Sequence, residues 1–111
     1  MGPVPELLTD IEVADRLKVM KGWKKDGKFI AKSFEFETFM QGIAFIEEVA
    51  VVAEKEEHHP DIHVRYTKVT LSIQTHSLGG ISGRDFALAK AIEDMIARRL
   101  SGNAARARKL G

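Results

Sequence analysis

The chain has 111 residues, and all four of its histidines fall between Glu54 and His76. His58 and His59 are adjacent, stand directly before Pro60 and follow Glu54 by about one helical turn. His63 and His76 complete the set. Imidazole is the side chain whose unperturbed pKa lies nearest neutrality, so this segment is where proton transfer or metal binding is most readily built. Three readings compete. In the first, two or three rings give a proton at one point of a substrate and take one at another, with the Glu54 carboxylate orienting a ring. In the second, neutral imidazoles and a carboxylate hold zinc or iron. That reading lacks a pair of histidines at i, i+4 on a helix. In the third the rings are structural: His58 ends a helix, His63 lies on a surface strand and His76 on a polar strand face. The pair joined to Pro60, and the place of His76 at a strand end, weigh against this third reading for His58, His59 and His76. For His63 it stands.

Nothing else in the chain supplies chemistry. There is no cysteine, hence no disulfide, thiolate nucleophile or sulfur-bound zinc. No Gly-x-Ser-x-Gly, Walker loop or Gly-x-Gly-x-x-Gly is present. The net charge of +1 gives no field toward nucleic acid or a membrane surface. The run Arg106-Ala107-Arg108-Lys109 reads as a solvated terminus. No leader is visible, and the apolar stretch 43–53 is broken by Glu47-Glu48 and too short to span a bilayer. A cytoplasmic protein without a cofactor is the expectation.

The elements that must position the histidines follow from periodicity. Thr9-Asp10-Ile11-Glu12 fits a capping box, with Leu8 and Val13 as its staple, and opens a helix over about 10–19. Gly22 ends it. Residues 23–36 read as a hairpin turning at Asp26-Gly27, with Ile30, Phe34 and Phe36 on one face. The longest helix carries Phe39, Ile43, Ile46, Ala50 and Ala53, widened by Phe45, Val49 and Val52. So broad a stripe predicts either deep burial or a contact with another subunit. Glu54 to Glu57 close this helix and Pro60 forbids its continuation. Glutamates there oppose the helix dipole, a local rule broken beside the histidines. Two strands follow, about 63–66 and 68–76. Val69, Leu71 and Ile73 point to the core; Thr70, Ser72, Gln74 and His76 point away. After the loop Ser77–Gly80, Ser82 caps a last helix with Asp85 at its third position. Ile81 and Phe86 are its staple, and Gly102 is its stop. The class is α+β: a single four-stranded, mainly antiparallel sheet with three helices packed on one face, in the order helix-strand-strand-helix-strand-strand-helix. One domain is expected over 1–111, with its core at about 7–101 and a flexible tail at 102–111.

The residues themselves resemble a known family. Glu54-Lys55-x-x-His58-His59-Pro60, Tyr66, Val69-Thr70-Leu71, Thr75-His76, Gly80-Ile81-Ser82-x-Arg84-Asp85 and Leu88-Ala89 look like the signature of the pterin-4a-carbinolamine dehydratases. Leu8-Thr9-Asp10, Gly22-Trp23 and Phe34-x-Phe36-x-x-Phe39 extend the likeness over about residues 7 to 97. The resemblance implies dehydration of 4a-hydroxytetrahydrobiopterin to quinonoid dihydropterin and water, with no metal and no added cofactor. It implies a homodimer or dimer-of-dimers tetramer acting on a pterin small molecule. It places His58, His59 and His76 as catalytic histidines and Glu54 as their carboxylate. Pro60, Thr75, Arg84 and Asp85 fall on motif positions taken as substrate-binding. The alternative is a dimeric pterin-binding or partner protein of coactivator type. One departure stands next to the site: Ile62 occupies a position where the family as known carries an aromatic residue.

Overall fold

The structure, a computed structural model, describes residues 6–110, with the side chains of 6–100. The lead-in residues 1–5 and the side chains of the basic run at 106–109 lie outside the described residues. Helix α1 (Asp10–Leu17) precedes the hairpin β1 (Lys24–Asp26) and β2 (Phe29–Glu35). Helix α2 (Phe39–Glu56), strands β3 (Asp61–Arg65) and β4 (Lys68–Ile73), a 3-10 turn at His76–Leu78 and helix α3 (Gly83–Leu110) follow. The four strands form one sheet in the order β1-β2-β4-β3, with every neighbouring pair antiparallel. The α+β class is therefore the observed one.

Alternation decides which face of the sheet is covered. Ile30, Val69, Leu71 and Ile73 are fully buried and pack with Phe45 and Val49 of α2 and Leu88 and Ile92 of α3. Each such side chain contributes about 1.5–3 kcal/mol by leaving water. The opposite face carries Ser33 and Thr70, whose hydroxyls meet at 2.8 Å. The capping box of α1 is present, with Thr9 Oγ1 accepting from the Glu12 amide and Glu12 accepting from the Thr9 amide. Helix α2 has a second box, Thr38 with Gln41. Trp23 is buried, and its Nε1 donates to Glu93 Oε2 at 3.1 Å. Lys32 Nζ meets the same oxygen at 2.8 Å, so one carboxylate ties the β1–β2 hairpin to α3.

Several expectations need correction. The hairpin turns at Gly27-Lys28, one residue later than expected, because Asp26 pairs with Phe29. Gly27 has φ of +59° while Lys28 does not enter the positive region, so only the first central position demands glycine. The core stripe of α2 is Gly42, Phe45, Val49 and Ala53; Phe39 and Ala50 are exposed. A glycine on that stripe hides it from a hydrophobicity count, yet Gly42 is buried against β4. A Cβ there would sit 3.4 Å from Val69 Cγ2. Strand β3 begins earlier than expected, directly after Pro60. Strand β4 ends at Ile73, so His76 opens the 3-10 turn instead of closing a strand. Helix α3 runs through Gly102 to Leu110. One interior glycine costs only about 1 kcal/mol against alanine, and the Ala- and Arg-rich residues beyond it favour helix.

Candidate functional site

The end of α2 delivers the histidine pair. Glu57 adopts the left-handed conformation, φ 53° and ψ 38°. The His58 amide donates to the Ala53 carbonyl and the Glu57 amide to the Glu54 carbonyl. This is a Schellman ending with glutamate where glycine is usual. It turns the chain through Pro60 into β3 and sends the two adjacent rings in different directions. His58 goes inward and is 9% exposed, whereas His59 is exposed.

Each ring of the pair meets a carboxylate. His58 Nε2 lies 2.5 Å from Oδ1 of Asp85, which is wholly buried. His59 Nε2 lies 2.5 Å from Oε2 of Glu54, one turn back on α2 and exposed. A carboxylate accepts and cannot donate when ionised, so in both neutral rings the hydrogen sits on Nε2 and the lone pair on Nδ1. Asp85 is itself held from the other side. Its Oδ2 accepts from the Ser82 amide at 2.8 Å and from the Thr75 hydroxyl at 3.1 Å, and Thr75 Oγ1 lies 2.7 Å from Ser82 Oγ. The same carboxylate thus caps α3 at its third position and orients a ring 27 residues away in sequence.

The third ring arrives from the loop after β4. Thr75 and Gly80 pair through the Thr75 amide and Gly80 carbonyl at 2.8 Å, and Gly79 at φ 67° closes the 3-10 turn between them. His76 projects from this turn and is exposed. Its Nδ1 lies 3.0 Å from Gln74 Nε2. His58, His59 and His76 line one open groove of about 320 Å³ with Glu57, Pro60, Asp61, Thr75, Ser77 and Arg84. Arg84 spends one donor on the Glu57 carbonyl, Nη2 to O at 2.7 Å. That bond satisfies a helix-end acceptor at the left-handed residue.

Of the eight residues singled out in the sequence, six line this groove: His58, His59, Pro60, Thr75, His76 and Arg84; Glu54 stands behind His59 as its partner and does not line it. Asp85 is the eighth, and it lies beneath the groove behind His58 and does not line it. His63 stands apart on β3, opposite Thr70. Ile62 pairs with Leu71, facing the helix-covered side of the sheet, and is 39% exposed. It does not line the groove. Gln74 and Ser82 make contacts at the site that the sequence reading used only as strand and cap. The signal for Gln74 was its strand parity with His76. Among the described residues no three histidine, aspartate or glutamate side chains converge as metal ligands would. Nor is any described helix long and apolar enough to cross a membrane.

On one groove of an α+β sheet, two carboxylate-backed imidazoles and a third imidazole are groups of the kind that can give and take protons. Comparison with known proteins gives the family. Residues 6–95 match the family model described as pterin 4 alpha carbinolamine dehydratase, and the chain belongs to that family. A Roseiflexus castenholzii protein, named as a candidate pterin-4-alpha-carbinolamine dehydratase, is 47% identical over 90 residues, covering 81% of this chain and 97% of that one. A Nocardia farcinica protein of the same name is 40% identical over 90 residues, 81% and 95% of the two chains. Among solved structures, a transcriptional coactivator/pterin dehydratase from Brucella melitensis superposes with a TM-score of 0.75 at 31% identity, covering 80% of this chain and 97% of that chain. A pterin dehydratase-like protein identified as a RuBisCO assembly factor in the alpha-carboxysome gives 0.55 at 26%, covering 66% and 87%.

Proposed function

We propose that this chain dehydrates a 4a-hydroxytetrahydropterin, of the tetrahydrobiopterin type, to the quinonoid dihydropterin and water. The observation that carries the reading is the pairing of His58 with buried Asp85 on a groove that His76 also lines. The reaction breaks the C4a–O bond, removes the N5 proton and forms the N5=C4a double bond. His58 is suited to accept the N5 proton at Nδ1, because Asp85 holds its Nε2–H and stabilises the imidazolium that results. His76, in its protonated form, gives the departing hydroxyl its proton. His58 gains one proton and His76 loses one, and water in the open groove restores both. His59 with Glu54 and the Arg84 guanidinium bind and orient the pterin. Thr75 acts through Asp85, and Pro60 through the turn it fixes. Positioned acid and base groups each contribute about 10²–10⁴-fold. Such a protein works in the cytoplasm, in the recycling of a reduced pterin.

The test is the decay of the 4a-hydroxy species, followed by stopped flow or through a coupled hydroxylase. Wild-type protein accelerates it, and His58→Ala with His76→Ala abolishes the acceleration. An unchanged rate in the double variant overturns the reading.

A specific observation favours a second reading, a dimeric partner protein. Phe39, Met40 and Val51 of α2 are exposed, as are Ile62 and Val64 on edge strand β3. Apolar residues spread over neighbouring elements suit a subunit contact, in a dimer or a dimer of dimers. Pterin binding by fluorescence separates the two readings: a stable oligomer that binds no pterin supports the partner role.

A further inference from the structure

We propose that the buried hydroxyls of Ser82 and Thr75 form a one-way hydrogen-bond chain that fixes Asp85 toward His58, with Ser82 as the positioning residue at its head. The inference rests on the reaction proposed above and deepens the backing of one of its rings. A hydroxyl has a single hydrogen to give and can accept at the same time. Thr75 Oγ1 stands 3.1 Å from Asp85 Oδ2 and 2.7 Å from Ser82 Oγ. An ionised carboxylate only accepts, so Thr75 gives its hydrogen to Asp85 and has none left for Ser82. Ser82 therefore donates to Thr75, and its oxygen accepts from the Arg84 amide at 3.2 Å. The reverse order would set a Thr75 lone pair against the carboxylate in a place closed to solvent, where Thr75 is 1% exposed and Ser82 and Asp85 are wholly buried.

The chain joins a helix start to a reacting ring. At one end the Ser82 hydroxyl caps α3 through the Arg84 amide. At the other, Asp85 Oδ2 is filled by two donors, the Thr75 hydroxyl and the Ser82 amide at 2.8 Å, which leaves Oδ1 for His58 Nε2. A carboxylate held at one oxygen by donors from two elements cannot turn about its own bond, so the ring it faces is held with it. Thr75 is itself anchored, its amide donating to the Gly80 carbonyl at 2.8 Å. A hydrogen bond to a charged acceptor is about twice as strong as a neutral one, and each bond of a chain polarises the next. The Ser82 hydroxyl reaches His58 only by way of the Thr75 hydroxyl. Its effect on the chemistry must therefore vanish once the Thr75 hydroxyl is gone.

A double-mutant cycle tests the order of the chain. Steady-state kinetics are measured for wild type, Thr75→Val, Ser82→Ala and the double variant, with Thr75→Ser as the conservative rescue. Thr75→Val is expected to lower kcat about tenfold and Ser82→Ala about threefold, with KM little changed. The double variant is expected to match Thr75→Val, and Thr75→Ser to restore kcat. A second readout needs no substrate: the low-field proton line of His58 Nε2–H is expected in wild type and Thr75→Ser, and is expected to broaden in Thr75→Val. Backbone amide spectra confirm that each variant is folded, and Thr75→Ala takes the place of a valine variant that does not fold. Losses in kcat that multiply in the double variant, or a His58 line unchanged in Thr75→Val, overturn the inference. A protein whose His58 line responds as expected but which has no dehydratase activity refutes the proposed reaction and leaves the chain its role; an active protein with an unresponsive line does the reverse.

Discussion

Asp85 lies directly beneath His58, with Oδ1 2.5 Å from Nε2 and no exposure to solvent. Its second oxygen takes the Ser82 amide and the Thr75 hydroxyl. A buried carboxylate is tolerable only when donors fill its lone pairs, and here three elements supply them: the end of α2, the loop after β4 and the start of α3.

Asp85→Asn tests that relationship. The asparagine keeps the volume, but one of its two polar atoms becomes a donor. Either His58 loses its acceptor or the Ser82–Thr75 side does. We expect kcat to fall by about 10²-fold or more, as when the orienting acid of a histidine is neutralised. Stability should fall by about 2 kcal/mol, measured by denaturant unfolding. A variant with wild-type kcat would sever Asp85 from the chemistry.

Glu57 tests the helix ending. A non-glycine residue at φ 53° carries a strain of about 1 kcal/mol or more, and its side chain is exposed. Glu57→Gly removes the strain while keeping the carbonyl that Arg84 holds. We expect a gain of roughly 0.5–1 kcal/mol, less what glycine returns as unfolded-state entropy, with activity retained. A clear loss of stability would mean that the Glu57 side chain does something its exposure hides.

Glu12 gives a pH dependence. The backbone amide of Thr9, then its hydroxyl, and more weakly Arg16 hold the Glu12 carboxyl below its usual range, against a small opposing effect of burial. A carboxyl whose folded pKa is depressed stabilises the fold above its unfolded pKa, and that stabilisation is lost as pH falls through the folded value. Glu12→Gln retains the cap without the charge. The wild type should exceed this variant in denaturant midpoint near pH 7, and the gap should close on acidification below about pH 4. A gap that stays constant with pH would show that the charge contributes nothing.

Much of this was readable in the chain because short-range rules decided it. The Thr9–Glu12 box, the buried parity of Val69, Leu71 and Ile73, and the stop at Pro60 each depend on residues within a few positions. The histidine pair and His76 could be gathered from motif spacing. Contacts decided over long distances could not. Nothing near Asp85 in sequence shows that one oxygen serves its own helix and the other serves His58. The core stripe of α2 was misread because Gly42 is buried by close approach and not by hydrophobicity. The end of α3 was misplaced because a single glycine was given more weight than the helix formers after it.

The two imidazole–carboxylate pairs offer the last test, because they match in distance and differ in burial. His59 and Glu54 stand 2.5 Å apart like His58 and Asp85, but their side chains are 62% and 76% exposed against 10% and 0%. Water and salt screen the outer pair, so its coupling should be worth about 0–1 kcal/mol, against several for a buried pair broken on one side. Glu54→Gln should leave stability within about 0.5 kcal/mol of wild type. Its effect should appear in KM, as a rise of a few-fold, if His59 orients the pterin and does not carry the proton. Added salt should mimic the variant in the wild type and have little effect on the Asp85–His58 pair. Steady-state kinetics of Glu54→Gln and Asp85→Asn at low and high ionic strength measure both contrasts. If Glu54→Gln lowers kcat as far as Asp85→Asn does, His59 moves a proton and the roles assigned to the two adjacent rings must be exchanged.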